Sequence, residues 1–263
     1  GNAELEVRAL SQAARAARMR GRHEESVRNQ EAALAAARAP GMPAALLGQA
    51  LESLANTYAE VSQSAQALPL YEEALQLFRE QRRDRRTAQV LHSYAGVLFD
   101  AGRLDEAERA ATEALAITEE IGDEVGTAFV QTTRVDIDLA RGDWEQAGRR
   151  GQGALATLER LDNRSGVASA LRSLADLAVV RGQPADAVPL LKRSDQIWRA
   201  IDLPVELARG LVRLQAAYAS LGDHEAAAAY GAELAQLMTE LQLAPGALRL
   251  PEFLLPYVKA ATS

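Results

Sequence analysis

The chain has 263 residues, a formal net charge of −7 and no cysteine, and 48% of its residues are hydrophobic. This length allows one or two domains with a large core, while the acidic balance argues against a general nucleic-acid-binding protein, which usually shows a basic surface. The lack of cysteine excludes disulfides, thiol nucleophiles and cysteine-ligated metals. Because aromatic residues are sparse and Ala, Leu, Arg and Glu dominate, the composition favours an all-α protein.

Neither a membrane span nor a signal peptide is predicted. No apolar run approaches the ~18 residues that cross a bilayer, and the N-terminal stretch GNAELEVRAL lacks the basic and apolar segments of a secretion signal. We therefore expect a cytoplasmic protein that makes no membrane contact.

The predicted elements recur with a period of forty residues. The first residues of six similar stretches are separated by 41, 40, 40, 40 and 40 positions. Glycine occupies about 7% of positions in an average protein, so its return at this spacing is not accidental. The stretches are GRHEES (21–26), SQSAQA (62–67), GRLDEA (102–107), GDWEQA (142–147), GQPADA (182–187) and GDHEAA (222–227).

Each repeat predicts two helices. An apolar stretch at helical spacing precedes the turn, as with Leu51, Leu54 and Tyr58. Glycine supplies the turn because a positive φ costs it little, and a polar residue then opens the second helix. The residue five positions after the glycine is small, which allows two backbones to approach closely. A column of large apolar residues in the second helices should be core: Phe78, Leu158, Trp198 and Met238.

Six helix pairs repeated without a break predict a stacked solenoid over residues 1–244. Residues 245–263 then form a capping helix and tail, beginning PGALRLPEFLLPYVKA. The stretch LPEFLLPYV is also apolar enough to serve as an internal plug.

These repeats resemble the tetratricopeptide repeat. The stretch LANTYAEVSQSAQALPLYEEALQLFRE (54–80) follows the family pattern, with Ser62 in place of the turn glycine. The period exceeds the usual 34 residues and is similar to that of kinesin light chains and of sensor domains in bacterial transcriptional regulators. The resemblance implies an all-α, right-handed superhelical solenoid whose first helices line a concave groove, and binding of a protein or peptide segment there. It does not imply catalysis.

Family geometry turns the second, fifth, ninth and twelfth positions of each first helix toward the groove. Carried onto this sequence, those positions give a set of candidate ligand-contacting residues. The candidates are Arg15, Asn56, His92, Phe99, Phe129, Thr132, Asp136, Leu139, Arg172 and Asp176.

The first helix of the fourth repeat breaks the pattern. Gln131, Arg134 and Asp138 occupy the face that carries apolar residues in the preceding repeat. Two accounts remain open. The helix rotates and exposes this polar stripe, or it keeps its orientation and holds Arg134 and Asp138 as a partly buried pair. In the second case Phe129 and Leu139 belong to an apolar floor of the groove. A departure from the repeat pattern in the middle of the repeats is typical of a functional or strained site.

Other unusual residues have simpler interpretations. His23 and His224 should be solvated helix starts, far apart in a solenoid. Asp195 replaces a leucine of the repeat pattern, with Arg209 or Arg213 as its expected partner. The basic run FREQRRDRR (78–86) fits a solvated loop, although an acidic partner or nucleic acid could contact it.

The sequence therefore predicts a protein-interaction module, without a cofactor or a metal, that binds a protein or peptide segment as the sensor or scaffold part of a bacterial regulatory protein. The alternative is a structural self-association unit whose groove is occupied by its own C-terminal segment or by the mate in a homodimer. No nucleophile, metal set or phosphate-binding loop favours an enzyme.

Overall fold

The computed structural model describes residues 2–19, 22–81, 84–243, 248 and 250–258. Within these ranges it contains no strand, and twelve long helices form six consecutive pairs. The predicted all-α fold of helix pairs is confirmed. No helix of the described part is both long and apolar enough to cross a membrane. The long helices are α1 (Asn2–Met19), α2 (His23–Ala37), α3 (Ala44–Glu60), α4 (Ser64–Glu80), α5 (Asp84–Asp100), α6 (Leu104–Glu120), α7 (Glu124–Arg141), α8 (Trp144–Arg160), α9 (Arg164–Val180), α10 (Pro184–Ala200), α11 (Pro204–Ser220) and α12 (His224–Glu240).

The chain groups into two compact units. Unit 1 comprises residues 1–121 with 240–243, and unit 2 comprises residues 122–239 with 244–263. Consecutive helices pack on one another from α1 to α6 in unit 1 and from α7 to α11 in unit 2, and Tyr230 on α12 stacks on Tyr218 of α11. The first helices of the pairs also contact each other directly, α1 with α3 and α3 with α5 in unit 1, and α7 with α9 in unit 2. In each unit they form a layer that we call the first-helix face.

Left-handed backbone closes the turns inside the described pairs. Gly102, Gly142, Gly182 and Gly222 have φ values of 74°, 82°, 74° and 75°. Ser62 holds the same place in the second pair with a φ of 61°. The Cβ of a non-glycine residue is strained in this conformation, so the substitution that departs from the family pattern has a local cost.

The two predicted core columns are buried. The small residues five positions after the turn, from Ser26 to Ala227, are all buried, and the column of large side chains is buried at Phe78, Leu158 and Trp198. Met238 at the end of that column is half-buried. Burial of each large side chain contributes about 1.5–3 kcal/mol, so these columns hold the pairs together.

The expectation for the histidines is wrong at one of its two positions. His224 is exposed, but His23 is buried at the start of α2. His23 shares one face of that helix with Ser26 and Gln30, at spacings of three and four residues, and the structure turns this face inward. The first residue of the second helix is therefore exposed to solvent in the last repeat and buried in the first.

Two described arginines of the basic run 78–86 are used inside unit 1. An Nη2 atom of Arg79 lies 2.7 Å from Glu113, and Nη1 of Arg86 lies 3.3 Å from Glu52. Residues 82 and 83 of the run lie outside the described residues. The run is not the expected solvated loop, because residues 78–80 end α4, residues 84–86 begin α5 and Phe78 is buried.

Candidate functional site

An arginine on α8 contacts the polar stripe of α7. Asp138 is buried, and its Oδ2 atom lies 2.8 Å from Nε of Arg150. Arg150 also donates a hydrogen bond to the side chain of Gln131 at 3.2 Å. Ile137 on the same helix is fully buried as well. The burial of Asp138 agrees with the second account, but the partner in this ion pair is Arg150 on α8, which neither account named.

The candidate residues of unit 1 have varied surroundings. Arg15 is exposed, while Asn56 accepts a hydrogen bond of 2.6 Å from the hydroxyl of Tyr71. His92 and Phe99 are both half-buried on α5. Burial lowers the pKa of His92 to about 4, so its imidazole is neutral at pH 7. Asn56 is thus engaged within the chain, and Arg15 is open to solvent.

The apolar candidates of unit 2 lie mostly inside the structure. Thr132 is buried, and its hydroxyl donates to the carbonyl of Ala128 at 3.0 Å. Leu139 is buried, and Phe129 packs partly buried on the cluster around Leu158. Thr132 and Phe129 therefore pack within unit 2, while Leu139 shares a cluster with Leu254 of the C-terminal residues.

Charged side chains cross the first-helix face of unit 2. Nη1 of Arg172 lies 2.5 Å from Oε2 of Glu206. Nε of Arg213 donates to both carboxylate oxygens of Asp176, at 2.8 and 3.0 Å. Three first helices contribute to what we call the inner ionic cluster, which consists of Asp136 on α7, Arg172 and Asp176 on α9, and Glu206, Arg209 and Arg213 on α11.

The surroundings shift the pKa values of two carboxyl groups of the cluster in opposite directions. Burial raises the pKa of Asp136 to about 6, since the hydrogen bond with Ser173 offsets only part of the desolvation and Asp176 adds repulsion. Burial alone would also raise the pKa of Glu206, but the nearby guanidinium groups of Arg172 and Arg209 hold it at about 2. The cluster thus brings three carboxyl groups together with three guanidinium groups.

One edge of the cluster remains accessible. The side chains of Glu206 and Arg209 are 31% and 29% exposed, against 3% for Asp176. Carboxylate and guanidinium groups at such an edge can bind charged side chains or the backbone of another chain through charge-assisted hydrogen bonds.

Sequence reasoning found part of this cluster. Asp136 and Asp176 occupy the same position in successive repeats, which placed both on the first-helix face. Glu206 and Arg213 were not among the groove candidates. The signal was present, because Glu206, Arg209 and Arg213 follow one another at spacings of three and four residues and therefore share one side of α11.

The C-terminal segment, defined as residues 250–258, lies across the same helices. A 3-10 turn (Glu252–Leu254) contacts α7 and α9, and the short helix α13 (Leu255–Val258) contacts α11. Leu254 is only 1% exposed and belongs to the core around Leu139 and Val180, with Phe253 packed beside it. The ring of Tyr257 meets Trp144 edge to face at 6.3 Å.

The apolar surface under this segment adjoins the inner ionic cluster. Leu139 follows Asp136 by three residues on α7, and Val180 follows Asp176 by four on α9. One helical turn rises about 5.4 Å, so the two surfaces are neighbours along each helix.

Asp195 has a different partner from the one expected. Its carboxylate accepts hydrogen bonds from Arg199, the nearest at 3.1 Å, and Arg199 also contacts Glu233 at 2.5 Å. Arg209 and Arg213 face Glu206 and Asp176 instead. The expected pairing was wrong because a residue one turn further along α10 is in reach.

Comparison with known proteins identifies the repeats. A model of the tetratricopeptide repeat matches residues 5–80 and 46–120. Together the two matches span residues 5–120, and this part of the chain is similar to the tetratricopeptide repeat. The resemblance found in the sequence is confirmed, and the forty-residue period of these repeats continues to residue 227. A search of curated proteins finds no match.

Solved structures share the fold at low sequence identity. A Rap protein in complex with competence and sporulation factor is 15% identical with a TM-score of 0.69, and the alignment covers 90% of this chain and 76% of that one. Kinesin-light-chain-like repeats from Podosopora anserina are 17% identical with a TM-score of 0.59, over 76% and 98% of the two chains. A STAND signal transduction ATPase with a tetratricopeptide repeat sensor, from Pyrococcus horikoshii, is 13% identical with a TM-score of 0.53, over 85% and 41%.

Proposed function

We propose that the chain is a protein-interaction module that binds a segment of a partner protein on the first-helix face of unit 2. The inner ionic cluster is the observation that carries the proposal. It places charged groups from three helices beside an apolar surface, and its edge at Glu206 and Arg209 is accessible. A protein segment needs both kinds of contact, apolar anchors for affinity and polar groups for register.

The cluster is difficult to explain by stability alone. Burying an ion pair costs desolvation energy that the attraction of its charges often only offsets, and apolar replacements are frequently as stable. Asp176 is nevertheless buried, and the side chain of its partner Arg213 is only 11% exposed. A role in recognition accounts for charged groups at these positions.

The structural comparisons support a regulatory setting. One similar structure is a Rap protein in complex with competence and sporulation factor, and another is a signal transduction ATPase whose repeats are a sensor. By analogy we place this module in the cytoplasm of a bacterium, as the sensor or scaffold part of a regulatory protein, with binding rather than catalysis as its role.

The test exchanges charges without removing them. In the double variant Arg172→Glu/Glu206→Arg the attraction between these two positions is retained, while the pattern seen by a partner is reversed. The carboxylate introduced at position 172 also faces Asp136 and Asp176, so the urea midpoint of the variant is measured before capture is compared. The matched control is Arg193→Glu/Glu159→Arg, which reverses an ion pair of 2.6 Å between the second helices α8 and α10.

Each variant is immobilised and exposed to lysate of the source organism, and captured proteins are identified by mass spectrometry. We expect proteins that the native chain and the control both capture to be lost from the first variant, with unchanged helicity. Equal capture by all three chains would refute the proposed surface.

The second candidate, a self-association unit filled by its own C-terminal segment or by a dimer mate, is favoured by the burial of Leu254. Sedimentation velocity tests the dimer mate as occupant. A concentration-dependent dimer that is lost on Leu254→Asp supports self-association, and a monomer excludes it.

A further inference from the structure

The C-terminal segment is held mainly by a few side chains. It consists of a three-residue turn and a four-residue helix, with Pro251 before the turn and Pro256 inside the helix. Proline has no backbone N–H to donate, and a single helical turn is not stable by itself. Leu254, buried among Leu139, Leu177 and Val180, is therefore the main anchor, with Phe253 packed beside it.

The position of the segment coincides with the surface assigned to the partner. It contacts α7, α9 and α11, the three helices that carry the inner ionic cluster. Its anchor lies about one helical turn from Asp136 and Asp176. A partner segment that reached both the charged edge and the apolar surface would meet residues 253 and 254 on its way.

We propose that the surface beneath Leu254 is the apolar half of the binding site and that the C-terminal segment is its resident occupant. The partner that fits carries an aromatic–leucine pair, and this pair replaces Phe253 and Leu254. This inference rests on the proposed function. It adds that the partner carries an aromatic–leucine pair and that the C-terminal segment of the same chain competes with it.

Competition within one chain has a predictable size. A tethered segment acts at an effective concentration of about 1 mM. For a free segment whose Kd for the open site is about 100 µM, the resident segment therefore weakens binding about ten-fold.

The first experiment uses a fluorescein-labelled synthetic peptide with the sequence of residues 248–258, LRLPEFLLPYV, and measures fluorescence anisotropy. We expect the peptide to bind the full chain carrying Phe253→Asp/Leu254→Asp about ten-fold more tightly than the native chain. Glu252→Lys is the matched control, because Glu252 is exposed in the same segment and leaves the anchor in place. Equal binding to all three chains, or no binding to a double variant of native helicity, would overturn the proposal.

The second experiment needs no variant and decides the question if the double variant loses helicity. Hydrogen exchange on the native chain compares residues 252–258 with the core of α9. An occupant that leaves its site exchanges at least ten-fold faster than α9, whereas exchange at the same rate as α9 would make the segment a permanent part of the fold and overturn the proposal.

Three outcomes are separable. A dimer that depends on Leu254 would overturn the inference in favour of the segment of a second copy as occupant. Loss of partner capture in Arg172→Glu/Glu206→Arg tests only the proposed function. Binding of the labelled peptide to the opened chain tests only the resident occupant.

Discussion

Removing one member of the buried pair Asp176–Arg213 should destabilise unit 2 strongly. In Arg213→Met, the carboxylate of Asp176 loses two hydrogen bonds, of 2.8 and 3.0 Å, while its side chain is only 3% exposed. Breaking a buried pair typically costs 3–5 kcal/mol. Because the guanidinium of Arg172 also interacts with Asp176, we expect the lower end of that range, about 3 kcal/mol.

The double variant Asp176→Leu/Arg213→Met should recover most of this loss. It leaves neither charge buried without a partner, and apolar replacements of buried ion pairs are often neutral. It also removes the repulsion between Asp176 and Asp136. We expect its stability to lie within about 1 kcal/mol of the native chain.

Tryptophan fluorescence in urea measures both changes selectively. The chain has two tryptophans, and both of them, Trp144 and Trp198, lie in unit 2. With a slope of about 2 kcal/mol per M of urea, the single variant should shift the midpoint down by about 1.5 M. Equal destabilisation of the single and the double variant, or a shift below about 0.5 M for the single variant, would refute the assignment of a desolvated, mutually dependent pair.

Three further predictions concern other positions. Ser62→Gly should stabilise unit 1 by about 1 kcal/mol and so raise its melting temperature, because glycine adopts the φ of 61° without strain. Circular dichroism melting checks this, and the control Ser53→Gly, inside α3, should destabilise instead. The folded pKa of Asp136, about 6, lies above its ordinary value, so the free energy of unfolding of unit 2 should fall by up to about 3 kcal/mol as pH rises from 4 to 6. In Asp136→Asn this pH dependence should be absent when unfolding is followed by fluorescence. The folded pKa of His92, about 4, lies below its ordinary value, so unit 1 should lose stability as pH falls from 6.5 to 4. In His92→Gln the stability measured by circular dichroism should depend less on pH. An unchanged dependence would contradict the burial of this imidazole.

The repeat architecture could be predicted because it depends on local rules. The repeat pattern consists of a turn glycine, a small residue five positions later and a large apolar residue in the second helix. Backbone or packing constraints at a single position explain each of them, as at Gly142, Ala147 and Leu158. The same rules repeat every forty residues, so each repeat confirms the others.

The site was predicted only in part because it depends on contacts between repeats. The position of Asp136 and Asp176 follows from the period, but the partner of Asp176 is Arg213, 37 residues further along the chain. Likewise Asp138 meets Arg150 on the second helix of its own pair. Such pairings depend on the path of long side chains, which helical periodicity does not determine.

Photo-crosslinking from the first-helix face tests the central claim most directly. Ser169 precedes Arg172 by three residues and Asp176 by seven, so a benzoylphenylalanine at 169 is on the side of α9 that carries the cluster. The control position is Gln196, exposed on the second helix α10. We predict that illumination in lysate of the source organism attaches one discrete partner protein at position 169 and not at 196. Adducts that are the same at both positions, or that form only at 196, would contradict the account.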